Sequence, residues 1–206
     1  MREAVGGGYS QPVRGLEQIP WLYDAFMSVV ELFGLARWRR WLVSGVRGRT
    51  LEVGAGTGRN LPLYPEGTKL VGVELDPGAT LRAKRRAPGT PLVCASAEAL
   101  PFRSGVFDTV VSSLVFCSVR DPGVGLAEVK RVLAPGGRLR MVEHVRSTHR
   151  LGGWLLDLIQ PVWTWAAGGC FPNRRTEAAV EAAGFEIEPE GRRAQSALRR
   201  FSARPR

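Results

Sequence analysis

The stretch "LEVGAGTGRN", residues 51–60, sets glycines at positions 54, 56 and 58 directly behind the apolar run "RTLEV". Alternate glycines contribute no packing and cost conformational entropy, so the main chain there must turn tightly or come close to something. The run ahead of them reads as a buried strand, and "GAGTGRNLPLY" as a turn entering a helix. In an open α/β sheet such a turn lies beyond the carboxyl end of a strand, where ligands bind. Glu52 stands at its entrance.

Working outward, strand and helix patterns alternate. "KLVGVEL" is a second strand, "PGATLRAKRRA" a helix and "PLVCASA" a third strand, followed by the loop "EALPFRSGVF". "DTVVSSLVF" makes a fourth strand, and "GVGLAEVKRVL" a helix with apolar Val124, Leu126, Val129, Val132 and Leu133. After the turn "APGG" comes a fifth strand, "RLRMVEHV". Short apolar strands alternating with helices indicate an α/β domain around a parallel sheet. Upstream, residues 19–46 space Leu22, Phe26, Val29, Val30 and Phe33 three or four apart, as a helix does, with Gly34 dividing it in two. Residues 1–45 thus read as a flexible N-terminus and helical cap, and residues 46–206 as the ligand-binding domain. Downstream, "GGWLLDLIQPVWTWAAGG" reads as a Trp-rich helical segment interrupted by Pro161, and "RRTEAAVEAAG" as a helix ended by Gly184. "FEIEPE" and "ALRRFSARP" read as further strands.

A length of 206 residues fits one domain with a proper core, and 44% apolar content is ordinary for a globular chain. The net charge of +10 is not ordinary, and 26 of the 29 basic residues are arginine. In the tail "GRRAQSALRRFSARPR" six arginines face no acid, which reads as a solvated terminus, with an anion-facing tail as the alternative. Cys94, Cys117 and Cys170 are odd in number and widely spaced, against both a disulfide framework and a zinc site. The polar start "MREAVGGGYSQP" has no apolar signal region, and no run approaches the ~20 apolar residues of a membrane span. The expected location is cytoplasmic.

Two ligand classes compete for the glycine loop. A dinucleotide fingerprint beginning at Gly54 needs Gly or Ala at position 59, where this chain has Arg59. Glu52 would also repel a pyrophosphate, but not a ligand carrying an ammonium and a sulfonium. "LEVGAGTG" resembles the first motif of class I S-adenosylmethionine-dependent methyltransferases, and the resemblance covers about residues 45–190. It continues in "VGVELDP", where Glu74 matches the acid that holds the ribose hydroxyls of the cofactor, a task suited to a bidentate carboxylate. "ASAEALPF" resembles the adenine-binding stretch, although Ser96 replaces the usual Asp and leaves Ala97 and Glu98 as substitutes. The resemblance implies a Rossmann-like fold, a seven-stranded mostly parallel sheet with helices on both faces and an N-terminal helical cap. It implies S-adenosyl-L-methionine as cofactor, S-adenosyl-L-homocysteine as product and no metal. It assigns the cofactor to Glu52, Gly54, Ala55, Gly56, Gly58, Asn60, Glu74, Leu75, Ser96, Ala97, Glu98 and Ser113. Asp76 in "DPG" reads instead as a helix cap.

Methyl transfer from a cationic sulfur is an in-line displacement, so aligning the acceptor is the main task. Tyr23 and Asp24 resemble the family's N-terminal Tyr-Asp element, and His144 closes the fifth strand, so Tyr23 and His144 are the candidate catalytic residues. His149 reads as solvated. Tyr23, His144, Cys117, Trp163, Asn173 and Arg174 are the candidate acceptor contacts, the last two suited to an anionic group. After the fourth strand there is no Asn-Pro-Pro-Tyr, Asp-Pro-Pro-Tyr or Pro-Cys, which disfavours nucleic-acid bases as acceptors. All six tryptophans fall in the two flanking segments, and "LARWRRWL" fits either a membrane interface or packing onto the sheet. Through "CSVRDP", "EHVRS" and "GGCFPNRRT" the likeness is to bacterial phospholipid N-methyltransferases and to membrane-associated thiol S-methyltransferases of animals. The leading expectation is a phosphatidylethanolamine-type headgroup amine, methylated at the inner membrane face by a monomer. The alternatives are a small thiol or hydroxylated metabolite, and a non-catalytic cofactor-binding module with a basic lipid- or nucleic-acid-facing surface.

Overall fold

The computed structural model describes residues 35–144, 173–195 and 198–206 together with 154, 157, 158, 160, 161, 164, 170 and 171, the side chain of His144 excepted. Five parallel strands form its centre: β1 (Arg49–Val53), β2 (Lys69–Glu74), β3 (Leu92–Cys94), β4 (Phe107–Ser113) and β5 (Leu133–His144). Three more follow: β6 (Phe185–Ile187), β7 (Arg193–Gln195) and β8 (Leu198–Pro205). The sheet order is β3-β2-β1-β4-β5-β8-β6. β8 runs antiparallel to β5, and its outer edge is shared by β6 over residues 203–205 and β7 over residues 198–200. The sheet therefore has eight strands rather than seven, the addition being β7. The tail is not a frayed terminus either, because β8 carries Phe201 and Ala203 fully into the core.

Among the described residues the sheet is flanked by helices α1 (Ala36–Ser44), α2 (Pro77–Arg86), α3 (Pro122–Val132) and α4 (Thr176–Ala182). α2 and α3 begin with the same device. In Asp76-Pro77-Gly78 the Asp76 carboxylate accepts from Ala79 N at 2.6 Å, and in Asp121-Pro122-Gly123 the Asp121 carboxylate accepts from Gly123 N and Val124 N. The expected Asp76 cap is thus present. The helix expected after the glycine loop is not: only one 3-10 turn, Leu61–Leu63, forms there. Pro65 lacks the N–H that would bond the Leu61 carbonyl, so the turn cannot propagate. Residues 1–34, with the first of the two expected cap helices, Tyr23, Asp24 and Trp21, lie outside the described residues, as do His149, Trp163 and Trp165, whereas the second is α1. The described residues of 154–164 are helical, Pro161 included.

The core is divided by the sheet. On one face Leu51, Val53, Val110, Leu139 and Met141 pack with Leu126, Val129 and Val132 of α3 and Val180 of α4. On the other, Val111 and Val142 pack with Leu35, Trp38 and Leu42. α1 is also pinned electrostatically. Arg140 on β5 donates from Nε to Leu42 O at 2.8 Å and from Nη2 to Trp41 O, satisfying carbonyls at the helix C-terminus. Trp38 is buried and Trp41 lies under the Arg140 and Arg200 guanidiniums, so both pack on the sheet rather than facing outward. Replacing Arg140 with Leu is expected to cost about 1–3 kcal/mol by leaving those carbonyls unpaired. A urea melt reads this, and an unchanged midpoint would show that Arg140 does not hold α1.

Candidate active site

The carboxyl ends of β3, β2, β1, β4 and β5 follow one another along one edge of the sheet, and the loops beyond them carry most of the residues expected at the site. After β1, Gly54, Gly56 and Gly58 have φ of +67°, +56° and +81°, left-handed values that side-chain-bearing residues rarely adopt. Their surroundings differ. A Cβ on Gly54 would lie 2.3 Å from Val115, and one on Gly58 2.8 Å from the Ala83 backbone of α2. Around a Cβ on Gly56 there is nothing within 4 Å. The first and third glycines therefore allow close packing, and the second presents bare main chain to open space. Ala55 is buried, its N–H bonded to Val73 O.

Two carboxylates bracket this loop. Glu74, at the end of β2, accepts from Gly56 N at 2.8 Å through Oε2 and from Asp76 N at 2.9 Å through Oε1. Burial raises its pKa, against the pull of these backbone N–H groups. Glu52 lies beneath the loop rather than at an open entrance, being 1% exposed. Its Oε1 accepts from Asn60 Nδ2 at 2.7 Å, and Asn60 Oδ1 in turn accepts from Arg39 Nη1 at 2.7 Å. Burial pushes the Glu52 carboxyl from 4.5 up to about 7, while the Asn60 amide, the Tyr64 hydroxyl and the Arg39 charge pull it down. Its buried Oε2, beside Tyr64, has no well-formed hydrogen bond. An open glycine backbone with an under-satisfied acid below and a second acid at its rim suits a ligand bearing an ammonium and vicinal hydroxyls. Asn60 is not turned toward a ligand: both ends of its amide are spent joining Arg39 to Glu52.

Beyond β3, Ser96 Oγ accepts from Glu98 N at 3.1 Å. Glu98 Oε1 accepts from Asp121 N at 2.8 Å, so this carboxylate ties the loop to the start of α3 rather than standing free for an amino group. Ala97 is half-buried beside them, and Leu75, 52% exposed, offers an apolar side chain next to Glu74.

Beyond β4 the turn is organised by Glu143, which is not among the residues the sequence singles out. It is fully buried on β5, and its Oε1 accepts from Ser112 Oγ, Val115 N and Phe116 N at 3.1, 2.9 and 3.1 Å. Between those donors Leu114 takes φ +59°, the single positive value at a non-glycine among the described residues. The Ser113 hydroxyl beside it is buried with no partner. An acid inside the apolar run "RLRMVEHV" was the signal, since a buried carboxylate must collect donors. His144 ends β5 opposite Leu198.

Cys117 is buried in this turn. The neighbouring Cys170 thiol, then burial, hold it well above the usual cysteine pKa, so it stays protonated. Phe171 N donates to Cys117 O at 2.8 Å, which joins the 170s segment to the turn. Arg174 and Asn173 do not form the expected anion site. Arg174 Nη1 donates to Phe116 O and Val119 O at 2.6 and 2.5 Å, and Asn173 Nδ2 to Asp157 and Gln160 at 3.1 and 3.0 Å. Arg174 holds the segment against the post-β4 turn, and Asn173 ties it to the helical residues of 154–164. Among the described residues no cluster of three or more metal-ligating side chains occurs.

Two outcomes follow from the buried acids. Because the Glu52 pKa is raised on folding, from 4.5 to about 7, the folded state binds its proton more tightly, and stability declines as pH rises through that window. Glu52→Gln should remove up to about 3 kcal/mol of that decline. Denaturant midpoints at several pH values test this, and an undiminished slope would refute it. Glu143→Leu strands two backbone N–H groups at about 1–3 kcal/mol each, whereas Glu143→Gln keeps an acceptor and most of the stability. Equal melting of the two variants would contradict this role.

A family model described as a methyltransferase domain matches residues 51–141. Thiol S-methyltransferase TMT1B of Homo sapiens is 33% identical over 171 residues, 74% of this chain and 69% of that protein. Demethylmenaquinone methyltransferase of Renibacterium salmoninarum is 35% identical over 131 residues, 61% of this chain and 55% of that protein. Among solved structures, an S-adenosylmethionine-dependent methyltransferase from Thermotoga maritima matches with a TM-score of 0.64 at 23% identity, over 88% of this chain and 97% of that one. That last likeness concerns the fold. The human relative shares a third of its aligned residues across more than two thirds of its own length, and the chain accordingly belongs to the class I S-adenosylmethionine-dependent methyltransferases.

Proposed function

We propose that the chain methylates the sulfur of a small lipophilic thiol, with S-adenosyl-L-methionine as donor. The observation that carries the acceptor class is the 33% identity to a human thiol S-methyltransferase over 74% of this chain. Bound at the glycine loop, the donor supplies a methyl group already activated on a cationic sulfur. Glu74 is the residue for the ribose hydroxyls, Glu52 for the ammonium, and Gly56 the point of main-chain approach. The turn fixed by Glu143 forms the acceptor side, where apolar Val115 and Phe116 exclude water from the attacking sulfur. The acceptor proton passes to His144 or to solvent, and Tyr23 and Trp163 are the further acceptor contacts of this reading.

The phospholipid amine is the weaker reading, because the relatives named above act on a thiol and on a quinone precursor. A quinone-type carbon acceptor is the second reading, favoured by the 35% identity to the bacterial enzyme. Trp154 and Leu158 are exposed one helical turn apart, which supports contact with a lipophilic phase. No helix among the described residues is long and apolar enough to cross a membrane.

Incubation with methyl-labelled donor and a panel of thiols, phosphatidylethanolamine and a demethylated naphthoquinol, read by mass spectrometry, should yield the S-methyl product. A product labelled solely on nitrogen or carbon would reject the thiol. Glu74→Ala should weaken donor binding about 10- to 100-fold, the scale of a lost charged hydrogen-bond partner, as titration calorimetry would read. Unchanged affinity would remove Glu74 from the site.

A further inference from the structure

The C-terminal strands carry an arginine arrangement that methyl transfer does not use. Several tail arginines find acids from elsewhere in the chain: Arg192 pairs with Glu177 at 2.9 Å, Arg199 approaches Glu177 at 4.0 Å, and Arg204 pairs with Glu188. Arg37, Arg193 and Arg200 have no acid partner among the described residues. Arg193 and Arg200 are directly opposed across the antiparallel pair β7 and β8, so their side chains leave the sheet on one face. Like charges in that position repel.

That same face carries α1. The Arg200 guanidinium lies 4.7 Å from the Trp41 ring centroid and 5.7 Å from that of Trp38. Arg37 precedes Trp41 by four residues and so shares its side of the helix. Trp41 is held in turn by Arg140, 4.2 Å from its ring, and by the turn at Gly191, where a Cβ would come within 3.0 Å of the indole. Arg200 is only 9% exposed, and its Nε has no hydrogen-bond partner. Burial first, then the charges of Arg193 and Arg37, lowers the Arg200 pKa, so this corner of the molecule is short of negative charge. Stacking on tryptophan offsets part of the cost of the buried cation and leaves its outward N–H groups available.

We propose that Arg37, Arg193 and Arg200 form an oxyanion site that takes a phosphate group. Arg200 is the fixed wall, stacked on Trp41, and Arg37 and Arg193 close on the anion from the exposed side. Two positions before Arg200 on β8, Leu198 pairs with His144 at the carboxyl end of β5. The site therefore lies about 7 Å along the strand from the edge where the acceptor loops gather. It is separate from the donor pocket, and its occupancy does not depend on methyl transfer. The phosphate can come from a soluble phosphorylated molecule or from a lipid headgroup.

The test is thermal melting in sodium phosphate against sodium chloride at matched ionic strength. Phosphate should raise the wild-type midpoint by about 2–4 °C above chloride. Arg193→Glu, an exposed replacement that gives Arg200 a cross-strand acid, should melt higher at low salt and lose the phosphate response, while still binding donor in calorimetry. Arg193→Lys should keep part of the response. Sedimentation with phosphatidylglycerol vesicles, against phosphatidylcholine, distinguishes the source: binding lost in Arg193→Glu assigns a lipid headgroup, and a phosphate response without vesicle binding assigns a soluble phosphate. A wild-type midpoint no higher in phosphate than in chloride, or an equal response in Arg193→Glu, would overturn the site.

Discussion

Two loops that meet without room for a side chain govern this molecule. The turn after β4 presses Val115 against Gly54, so the left-handed glycine loop and the post-β4 turn are one packed unit. Each half has its own carboxylate beneath it. Glu143 gathers Ser112, Val115 and Phe116 onto one oxygen, and that over-determination lets Leu114 persist at a positive φ. Glu52, through Asn60 and Arg39, underlies the other half. A methyl donor and its acceptor must meet within a narrow geometry, and rigid strand ends carrying mutually braced loops supply it.

The electrostatics follow from where these acids sit. Glu52 and Glu74 are both made harder to ionise by burial. Arginine does most of the long-range joining. Arg140 closes the C-terminal end of α1, Arg174 fastens the segment from 170 onward to the carbonyls of Phe116 and Val119, and Arg131 reaches the Leu100 and Phe102 carbonyls from α3. A planar guanidinium with several donors suits this work, since one side chain can satisfy carbonyls from two or three loops. The arginine excess of the chain is thus partly internal structure, and Arg37, Arg193 and Arg200 lie together at one corner beside Trp41.

Antiparallel β8 shows how the last third of the chain serves the first. It is inserted between β5 and β6, burying Phe201 and Ala203 in the core shared with α3 and α4. Without it β5 would be an edge strand, and the fully buried Glu143 would lose its shelter.

What the sequence by itself determined is what short-range chemistry controls. The strands read as apolar runs, Asp-Pro-Gly as a helix cap, the glycine loop as a place where main chain is bared, and Glu74 as the acid one strand over. Each depends on residues within a few positions. Only the tertiary structure decided the fate of polar side chains whose partners are remote. Asn60 bonds Arg39 across 21 positions, Glu98 bonds Asp121 across 23, Glu143 bonds Ser112 across 31, and Arg174 bonds Phe116 across 58. Asn60, Glu98, Asn173 and Arg174 read as ligand contacts because a polar residue near a site motif shows its chemistry in sequence but not its partner. A buried polar group must be satisfied by whatever the fold brings beside it, and that choice belongs to the assembled sheet.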